Sequence, residues 1–274
     1  MAEASTSVDT LVRKESRRAT ARRLFQRYLP WILIIAFFVL WQVGQTITDY
    51  PPEFIVPRPS DVLGYTVENA GFLLKHLSVT LLEAVAGFLL GTSAAIALAI
   101  VSVYNSQLER VIMPFALALR SIPLIAITPV LILLLGLGWQ SKVAVATIVV
   151  FFPTLVNMIV GLRSVDARLL ELLHVLDANW RQELMRVRLP SSAPSFFAAL
   201  KIAVPSSILG AAVAEWINAS AGIGYLIILA TYQFDPVMLY ATMLVTTVVS
   251  GLAYYAVVKL EVMLLPWRQH VTRS

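Results

Sequence analysis

Residues 171–190, ELLHVLDANWRQELMRVRLP, form a charged stretch in a chain that is otherwise strongly apolar. This stretch and the residues just before it carry apolar side chains at steps of three and four positions: Leu169, Leu173, Leu176, Trp180, Leu184 and Val187. Such spacing is typical of an amphipathic helix. The stretch is too polar to cross a bilayer, so the sequence predicts an ordered surface outside the membrane that is available to a partner.

The composition is that of a membrane protein. The 274 residues are 58% hydrophobic and 14% charged, whereas about one quarter of the residues in a soluble domain are charged. The mean hydropathy of +0.79 supports several membrane spans. The sequence has no cysteine, which excludes disulfides and thiolate metal sites. We predict no metal site, because the three histidines are far apart in sequence: His76, His174 and His270.

Six apolar runs are long enough to span a bilayer, which takes about 20 helical residues. We predict spans at 29–48, 79–103, 111–136, 142–162, 194–217 and 236–260. The first is expected to be a retained span, since no cleavage pattern follows it. The apolar segment 221–234 is too short to cross the membrane, so we expect it to be re-entrant or interfacial.

The basic residues predict the orientation of these spans. Fifteen lie in the predicted inner segments and three in the outer segments, and cytoplasmic loops are enriched in lysine and arginine. Both termini are therefore expected in the cytoplasm, with a basic tail at 1–28, a membrane domain at 29–265 and a second tail at 266–274. Residues 164–190 form a cytoplasmic loop in this topology. The net charge of +5 does not predict nucleic-acid binding, because seven basic residues are concentrated in the first tail.

The charged stretch also carries a motif. Glu171-Leu172-Leu173 is similar to the E-A-A signature of permease subunits in bacterial ABC importers, with leucines in place of both alanines. Asp177 takes the position of the signature glycine, and Leu189-Pro190 closes the pattern thirteen residues later. Other segments resemble the nitrate, taurine, aliphatic-sulfonate and thiamine-precursor permeases: residues 57–63, 120–129, 136–138, 214–216 and 221–227.

This resemblance implies an all-α, type I ABC importer permease fold with six transmembrane helices. It also implies a coupling helix that docks on an ATP-binding subunit. The anchor face would comprise Leu173, Leu176, Trp180 and Leu184, and Arg181 and Glu183 would set the polar register. Asp177 is expected to cap the helix that begins at Trp180, because aspartate is a favourable N-cap. The amphipathic pattern is also compatible with a helix lying on the membrane surface.

The implied complex contains two ATP-binding subunits, a second copy of the permease and an external solute-binding protein in a bacterial inner membrane. The chain has no G-x-x-x-x-G-K-[ST] motif. ATP and magnesium would therefore bind only to the partner ATPase, and we expect neither a cofactor nor a catalytic residue in this chain. The resemblance implies a small solute: an anion such as a sulfonate or organic acid, or a vitamin precursor.

Charged residues inside spans are candidates for the translocation path, since each costs about 2.5–3.5 kcal/mol at mid-helix on insertion scales. We select Glu83, Arg120, Lys201 and Glu215, together with Pro123, where a broken helix would expose backbone to a cavity. Alternatively, Arg120 and Lys201 extend to the interface or pair with an acid. Glu215 is expected at the outer boundary, in a gate or a docking surface.

Two other classes of membrane protein remain to be compared. A secondary transporter driven by an ion gradient would need a protonatable or sodium-binding cluster, and the sequence does not reveal one. An intramembrane enzyme would need paired acids, an H-E-x-x-H motif or a Ser/Lys pair, and the sequence reveals none of these.

Overall fold

The computed structural model describes residues 28–29, 32–48, 52–53 and 55–266, without the side chains of 119 and 120. Two compact units divide the chain, Met1–Gly64 and Tyr65–Ser274. The predicted tails at 1–28 and 266–274 lie almost entirely outside the described residues, and the predicted domain boundaries stay predictions. The first unit contains helix α1, Ile32–Thr48. In this unit the Gln42 side chain bonds both the backbone N–H and the hydroxyl of Ser60, at 3.1 and 3.3 Å.

The described residues after α1 form helices with no β-strand among them. In chain order the elements are α2 (Pro59–Glu68), α3 (Ala70–Tyr104), α4 (Ser106–Arg120), α5 (Leu124–Leu135), α6 (Trp139–Arg163), α7 (Ala167–Val175), α8 (Trp180–Glu183), a π-helical turn (Leu184–Arg188), α9 (Leu189–Ile217), α10 (Ile223–Gln233) and α11 (Pro236–Leu264). Helix α8, the π-helical turn and α9 run on without interruption from Trp180 to Ile217.

Four of these helices are long and apolar enough to cross a membrane: Ala70–Tyr104, Trp139–Arg163, Trp180–Ile217 and Pro236–Leu264. They coincide with four of the predicted spans. The predicted span at 111–136 is not one continuous helix, because the chain breaks between α4 and α5. Pro123 has a ψ of 127°, outside the helical region, and proline also disfavours helical geometry in the residue before it. Helix α10 falls in the segment that was predicted to be too short to cross.

Helix α6 packs between α3 and α9, and glycines make this close approach possible. A Cβ atom on Gly91 of α3 would lie 2.6 Å from the carbonyl oxygen of Thr147. A Cβ on Gly210 of α9 would lie 3.1 Å from the Cα of Ala146, which is also on α6. Both contacts allow backbone to pack on backbone. The three helices α3, α6 and α9 therefore form the centre of the second unit and hold the surrounding segments in place.

Candidate coupling surface and transport cavity

Helix α7 starts and stops through local hydrogen bonds. Asp166 caps its first turn by accepting a bond from the N–H of Arg168 at 2.9 Å. At the other end, the N–H of Asp177 donates to the carbonyl of His174, and the N–H of Ala178 to that of Leu173, at 3.1 and 3.0 Å. This pair of bonds is a Schellman motif, in which the residue after the cap is left-handed.

Asp177 is that left-handed residue, with φ of 52°. Glycine adopts this conformation at no steric cost, and aspartate is among the few other residues that tolerate it. A glycine at this position, as in the signature, could adopt the same backbone conformation without steric strain. The expectation that Asp177 caps the next helix is wrong.

The cap of helix α8 is Asn179. Its side-chain oxygen accepts from the N–H of Gln182 at 3.0 Å, and the Gln182 side chain accepts from the N–H of Asn179 at 2.9 Å. These reciprocal bonds form a capping box. The sequence does contain the signal, an asparagine followed three residues later by glutamine.

The turn at Asp177 changes which apolar side chains are exposed. Leu184, predicted as part of the anchor face, is only 5% exposed and belongs to a core cluster with Leu155 and Leu162. Leu173 is half-buried, and none of the side chains of α7 is buried. We call the exposed apolar side chains of this region the docking face; they are Leu169, Leu172, Val175, Leu176 and Trp180. The sequence did not predict Leu172 and Val175 in this face, because one helical period was assumed to continue across the turn at Asp177.

The docking face is attached to the membrane helices through Trp180. The Tyr104 ring at the end of α3 meets the Trp180 ring edge to face, with centroids 6.1 Å apart. The Tyr104 hydroxyl also donates to the Trp180 carbonyl at 3.3 Å. The Arg181 guanidinium lies 5.3 Å from the centroid of the Trp180 ring. Glu171 is exposed on α7.

Arg188 makes a second attachment. Its guanidinium donates to the carbonyl of Leu162 at 2.9 Å, pairs with Glu183 and lies 5.6 Å from the Tyr104 ring centroid. Glu183 is thus engaged within the chain, contrary to its expected role at a partner surface. Because Leu162 lies in the last turn of α6, the two attachments join the docking face to α3 and α6.

The motif ends in a widened turn of helix. Residues Leu184–Arg188 are π-helical, and the N–H of Leu189 donates to the carbonyl of Leu184 five residues back. Pro190 follows, has no N–H to donate, and would clash with the carbonyl four residues earlier in a regular α-helix. The wider turn accommodates the proline, and Leu189 packs against the core cluster.

The break between α4 and α5 borders a cavity of about 400 Å³. Its walls come from the break itself, from α5, from α6 and from α9: Ser121, Ile122, Pro123, Leu124, Ile127, Ile148, Val149, Phe152, Pro153, Ile202 and Ser206. The structure places Pro123 on the cavity, as expected for a broken helix. Arg120 ends α4 next to Ser121, but its side chain lies outside the described part of the chain.

The other predicted path residues do not line this cavity. Lys201 of α9 forms an ion pair with Glu261 of α11, so the alternative in which it pairs with an acid is correct. Glu83 lies near Lys142, with 3.9 Å between a carboxylate oxygen and Nζ. Glu215 is fully buried, which rules out its expected place on a docking surface.

Glu215 instead fastens the start of α10. It accepts bonds from the Thr80 hydroxyl at 2.7 Å and from the N–H of Gly224 at 2.7 Å. The N–H of Ile223 donates to the Thr80 oxygen at 2.8 Å. We call Thr80, Glu215, Ile223 and Gly224 the Glu215 clamp. Beside it, the N–H of Gly222 donates to Nδ1 of His76 at 3.1 Å.

A comparison of the sequence with known protein families gives a match that covers most of this architecture. Residues 87–265, well over half of the chain, match the family of binding-protein-dependent transport system inner membrane components. The chain belongs to this family. The matched range includes the docking face, the cavity and the Glu215 clamp except for Thr80.

Named relatives of the permease are ABC transport permeases of the predicted group. It is 33% identical to the formylaminopyrimidine transport permease ThiX of Halalkalibacterium halodurans, over 90% of this chain and 99% of the relative. It is 31% identical to the riboflavin transport system permease RibX of Chloroflexus aurantiacus, over 86% of this chain and 88% of the relative. The resemblance seen in the sequence is confirmed.

Solved structures confirm the fold. The permease matches a chain of the MetNI methionine ABC transporter in an inward-facing conformation, with a TM-score of 0.58 and 19% identity. The match covers 69% of this chain and 92% of that one. The permease is therefore an all-α, multi-pass membrane protein with the type I ABC importer permease fold.

Proposed function

We propose that the permease forms the path of an ABC importer that receives a small solute from an external binding protein and is driven by separate ATPase subunits. The observation that carries the proposal is the exposed docking face, held to the membrane helices by Trp180 and Arg188. Apolar side chains grouped at one surface mark an interaction site. The family match supports the same function and favours it over an ion-gradient-driven transporter.

Coupling would proceed through these attachments. In the proposed complex, two ATP-binding subunits bind ATP and magnesium, and their closure moves the docking faces of two permease copies together. The movement reaches α3 through the contact between Trp180 and Tyr104, and reaches α6 through the bond from Arg188 to the Leu162 carbonyl. The path then alternates between outward-open and inward-open states. The permease itself supplies no catalytic group.

We further propose a pyrimidine-type heterocycle as the solute. ThiX is named for transport of a formylaminopyrimidine and RibX for riboflavin, whose ring system also includes a pyrimidine. A cavity with Phe152, Pro123 and Pro153 on its walls offers flat apolar surfaces, and Ser121 and Ser206 offer hydroxyl groups. A sulfonate or another organic acid is the alternative.

We place the permease in a bacterial inner membrane with both termini in the cytoplasm, as the distribution of basic residues predicts.

Single-cysteine variants test the docking directly, because the chain has no cysteine of its own. Val175→Cys lies on the docking face and Val67→Cys on α2, and the native side chains are 83% and 76% exposed. In the assembled transporter we expect Val175→Cys to cross-link to a cysteine in the ATPase groove, and Val67→Cys to remain unlinked. Equal labelling of both by a lipid-soluble reagent without any ATPase cross-link would support a helix on the membrane surface instead.

Uptake measurements test the coupling. Trp180→Asp and Leu176→Asp place charges on the docking face and should leave the permease inserted while ATP-driven uptake in proteoliposomes is lost. Wild-type uptake in both variants would contradict the proposal.

For the solute, the cognate binding protein should bind formylaminopyrimidine or riboflavin in preference to an alkanesulfonate.

A further inference from the structure

Next to the Glu215 clamp lies a second buried carboxyl group, that of Glu83. Thr80, whose hydroxyl bonds Glu215, lies three residues before Glu83 on α3, so the Glu83 side chain and the Glu215 carboxyl group lie on the same face of this helix. Glu83 is 6% exposed and Glu215 is fully buried. Two carboxylates this close repel each other strongly in a buried site unless one of them carries a proton.

The surrounding groups do not balance two negative charges. From α6, the cation is Lys142, which lies 3.9 Å from Glu83 and also reaches the carbonyl of Gly138 at 3.5 Å. From α3, the nearby titratable groups are His76, whose Nδ1 accepts a bond from the N–H of Gly222, and the adjacent Lys75, which is exposed to solvent. The start of α10 contributes backbone N–H groups and Tyr225, whose ring stacks on His76. One lysine therefore faces two carboxyl groups.

The two carboxyl groups differ in the hydrogen bonds that their oxygens accept. Each oxygen of Glu215 already accepts from a donor: Oε1 from the Thr80 hydroxyl, and Oε2 from the N–H of Gly224. Glu83 Oε2 is buried and receives no hydrogen bond from any described residue. A proton on this oxygen would turn an unsatisfied acceptor into a donor to Glu215, and would remove the repulsion at the same time.

We infer that Glu83 and Glu215 hold one proton between them, carried on Glu83 Oε2 and donated to Glu215, and that this proton keeps the Glu215 clamp closed on α10. The proton comes from solvent and stays in the site as long as the clamp is closed. It is a structural ligand of the permease and is separate from the energy source of transport. No site of this kind could be expected from the sequence, where Glu83 and Glu215 are more than a hundred residues apart.

Glutamine substitutions distinguish the two positions. Glu83→Gln supplies an amide N–H donor to Glu215 at every pH, so the variant should keep the wild-type melting temperature near neutral pH. The wild-type melting temperature should fall as the pH becomes alkaline, because the shared proton is lost and two carboxylates remain. That fall should be absent in Glu83→Gln. Glu215→Gln should melt lower than wild type, because one amide oxygen must replace two acceptor oxygens.

Infrared spectroscopy of the full-length permease in detergent provides a direct readout. A protonated carboxyl C=O band should be present in the wild type near neutral pH and lost in Glu83→Gln. Glu261→Gln is a matched control, since Glu261 is 8% exposed and pairs with Lys201. This control should lower the melting temperature by several degrees and leave the band in place.

Three results would overturn the inference. They are a carboxyl band that persists in Glu83→Gln, a wild-type melting temperature that stays constant into alkaline pH, or a loss of stability in Glu83→Gln as large as that in Glu261→Gln. None of these measurements involves an ATPase or a solute, so they judge the shared proton independently of the proposed transport function.

Discussion

Two short helices of this permease, α7 and α10, connect longer ones, and they differ in how much they contact the rest of the structure. Both adjoin a residue with a left-handed backbone, Asp177 after α7 and Gly222 before α10. Helix α7 buries none of its side chains, whereas α10 buries Ile223, Leu226 and Ala230 along with Gly224.

Their hydrogen bonds differ in the same way. The first turn of α7 is capped by the exposed side chain of Asp166, close by in sequence. The first turn of α10 is bonded to buried side chains of two other helices, Thr80 of α3 and Glu215 of α9. An element whose polar groups are satisfied inside the bundle is part of the folded core. An element capped locally, with its apolar face exposed, depends on a partner to cover that face. Substitutions in α10 should therefore affect folding, and those in α7 should affect assembly.

Glu215→Leu is the strongest test on the α10 side. It leaves the Thr80 hydroxyl and the Gly224 N–H buried without their acceptor, and each unsatisfied group costs about 1–3 kcal/mol. We expect a total loss of about 2–4 kcal/mol, measured as a lower melting temperature in detergent. Glu171→Leu is the control, since Glu171 is exposed on α7 and its replacement should change stability by about 0.5 kcal/mol or less. Equal effects would remove the difference between the two helices.

Gly224→Ala should follow, with a loss of about 1–3 kcal/mol from overpacking. The added Cβ would lie 2.7 Å from the Glu215 Cβ and would collide with the carbonyl oxygen of Ala212. Gly251→Ala on α11 is the matched change, because no atom lies within 4 Å of its added Cβ. That variant should melt at the wild-type temperature or slightly higher, since alanine favours helix over glycine. If both variants have the same melting temperature, the close packing of α10 against α9 described above is wrong.

Asp177→Gly should stabilise the permease by about 1 kcal/mol, because a left-handed backbone is strained for residues with a Cβ atom. Asp177→Val should do the reverse, since a branched side chain tolerates positive φ poorly. Both effects can be read from thermal unfolding. A stability order with valine above glycine would show that Asp177 does not hold the turn in the way described.

Val175→Asp should have the smallest effect on stability, about 0.5 kcal/mol or less, because the side chain is exposed. In the assembled transporter it should nevertheless abolish ATP-driven uptake, since a charge would be buried against the partner. Val67→Asp makes the same change on α2 and should leave uptake intact. A large drop in the melting temperature of Val175→Asp would mean that α7 belongs to the folded core.

The sequence predicts the parts of this molecule that depend on local pattern. The apolar runs at 79–103, 142–162 and 236–260 predicted three spans, and each lies within a helix long enough to cross a membrane, because length and hydropathy alone decide whether a helix can span a bilayer. The proline at position 123 indicated the break between α4 and α5, although hydropathy alone joined the two apolar halves into one predicted span at 111–136. Leu184 was wrongly predicted to belong to the exposed anchor face, because a helical period does not reveal a turn that interrupts the helix.

The Glu215 clamp could not be predicted in this way. The bond from Thr80 to Glu215 joins residues 135 positions apart, and the bond from Ile223 to Thr80 joins residues 143 apart. Such contacts depend on how α3 and α9 pack, which no local pattern encodes. The sequence did single out Glu215 as an intramembrane charge, but its partners became visible only in the folded chain.

The continuous helix from Trp180 to Ile217 can transmit movement over a long distance. Its 38 residues extend for about 57 Å at 1.5 Å each, well beyond the roughly 30 Å of a bilayer core. The docking face meets one end at Trp180, and Glu215 lies two residues from the other end. A tilt of about five degrees about one end would displace the other by about 5 Å at this length, more than enough to part the hydrogen bonds of Glu215. The helix thus joins the docking face at one end to the Glu215 clamp near the other, so that movement of one end would displace the other.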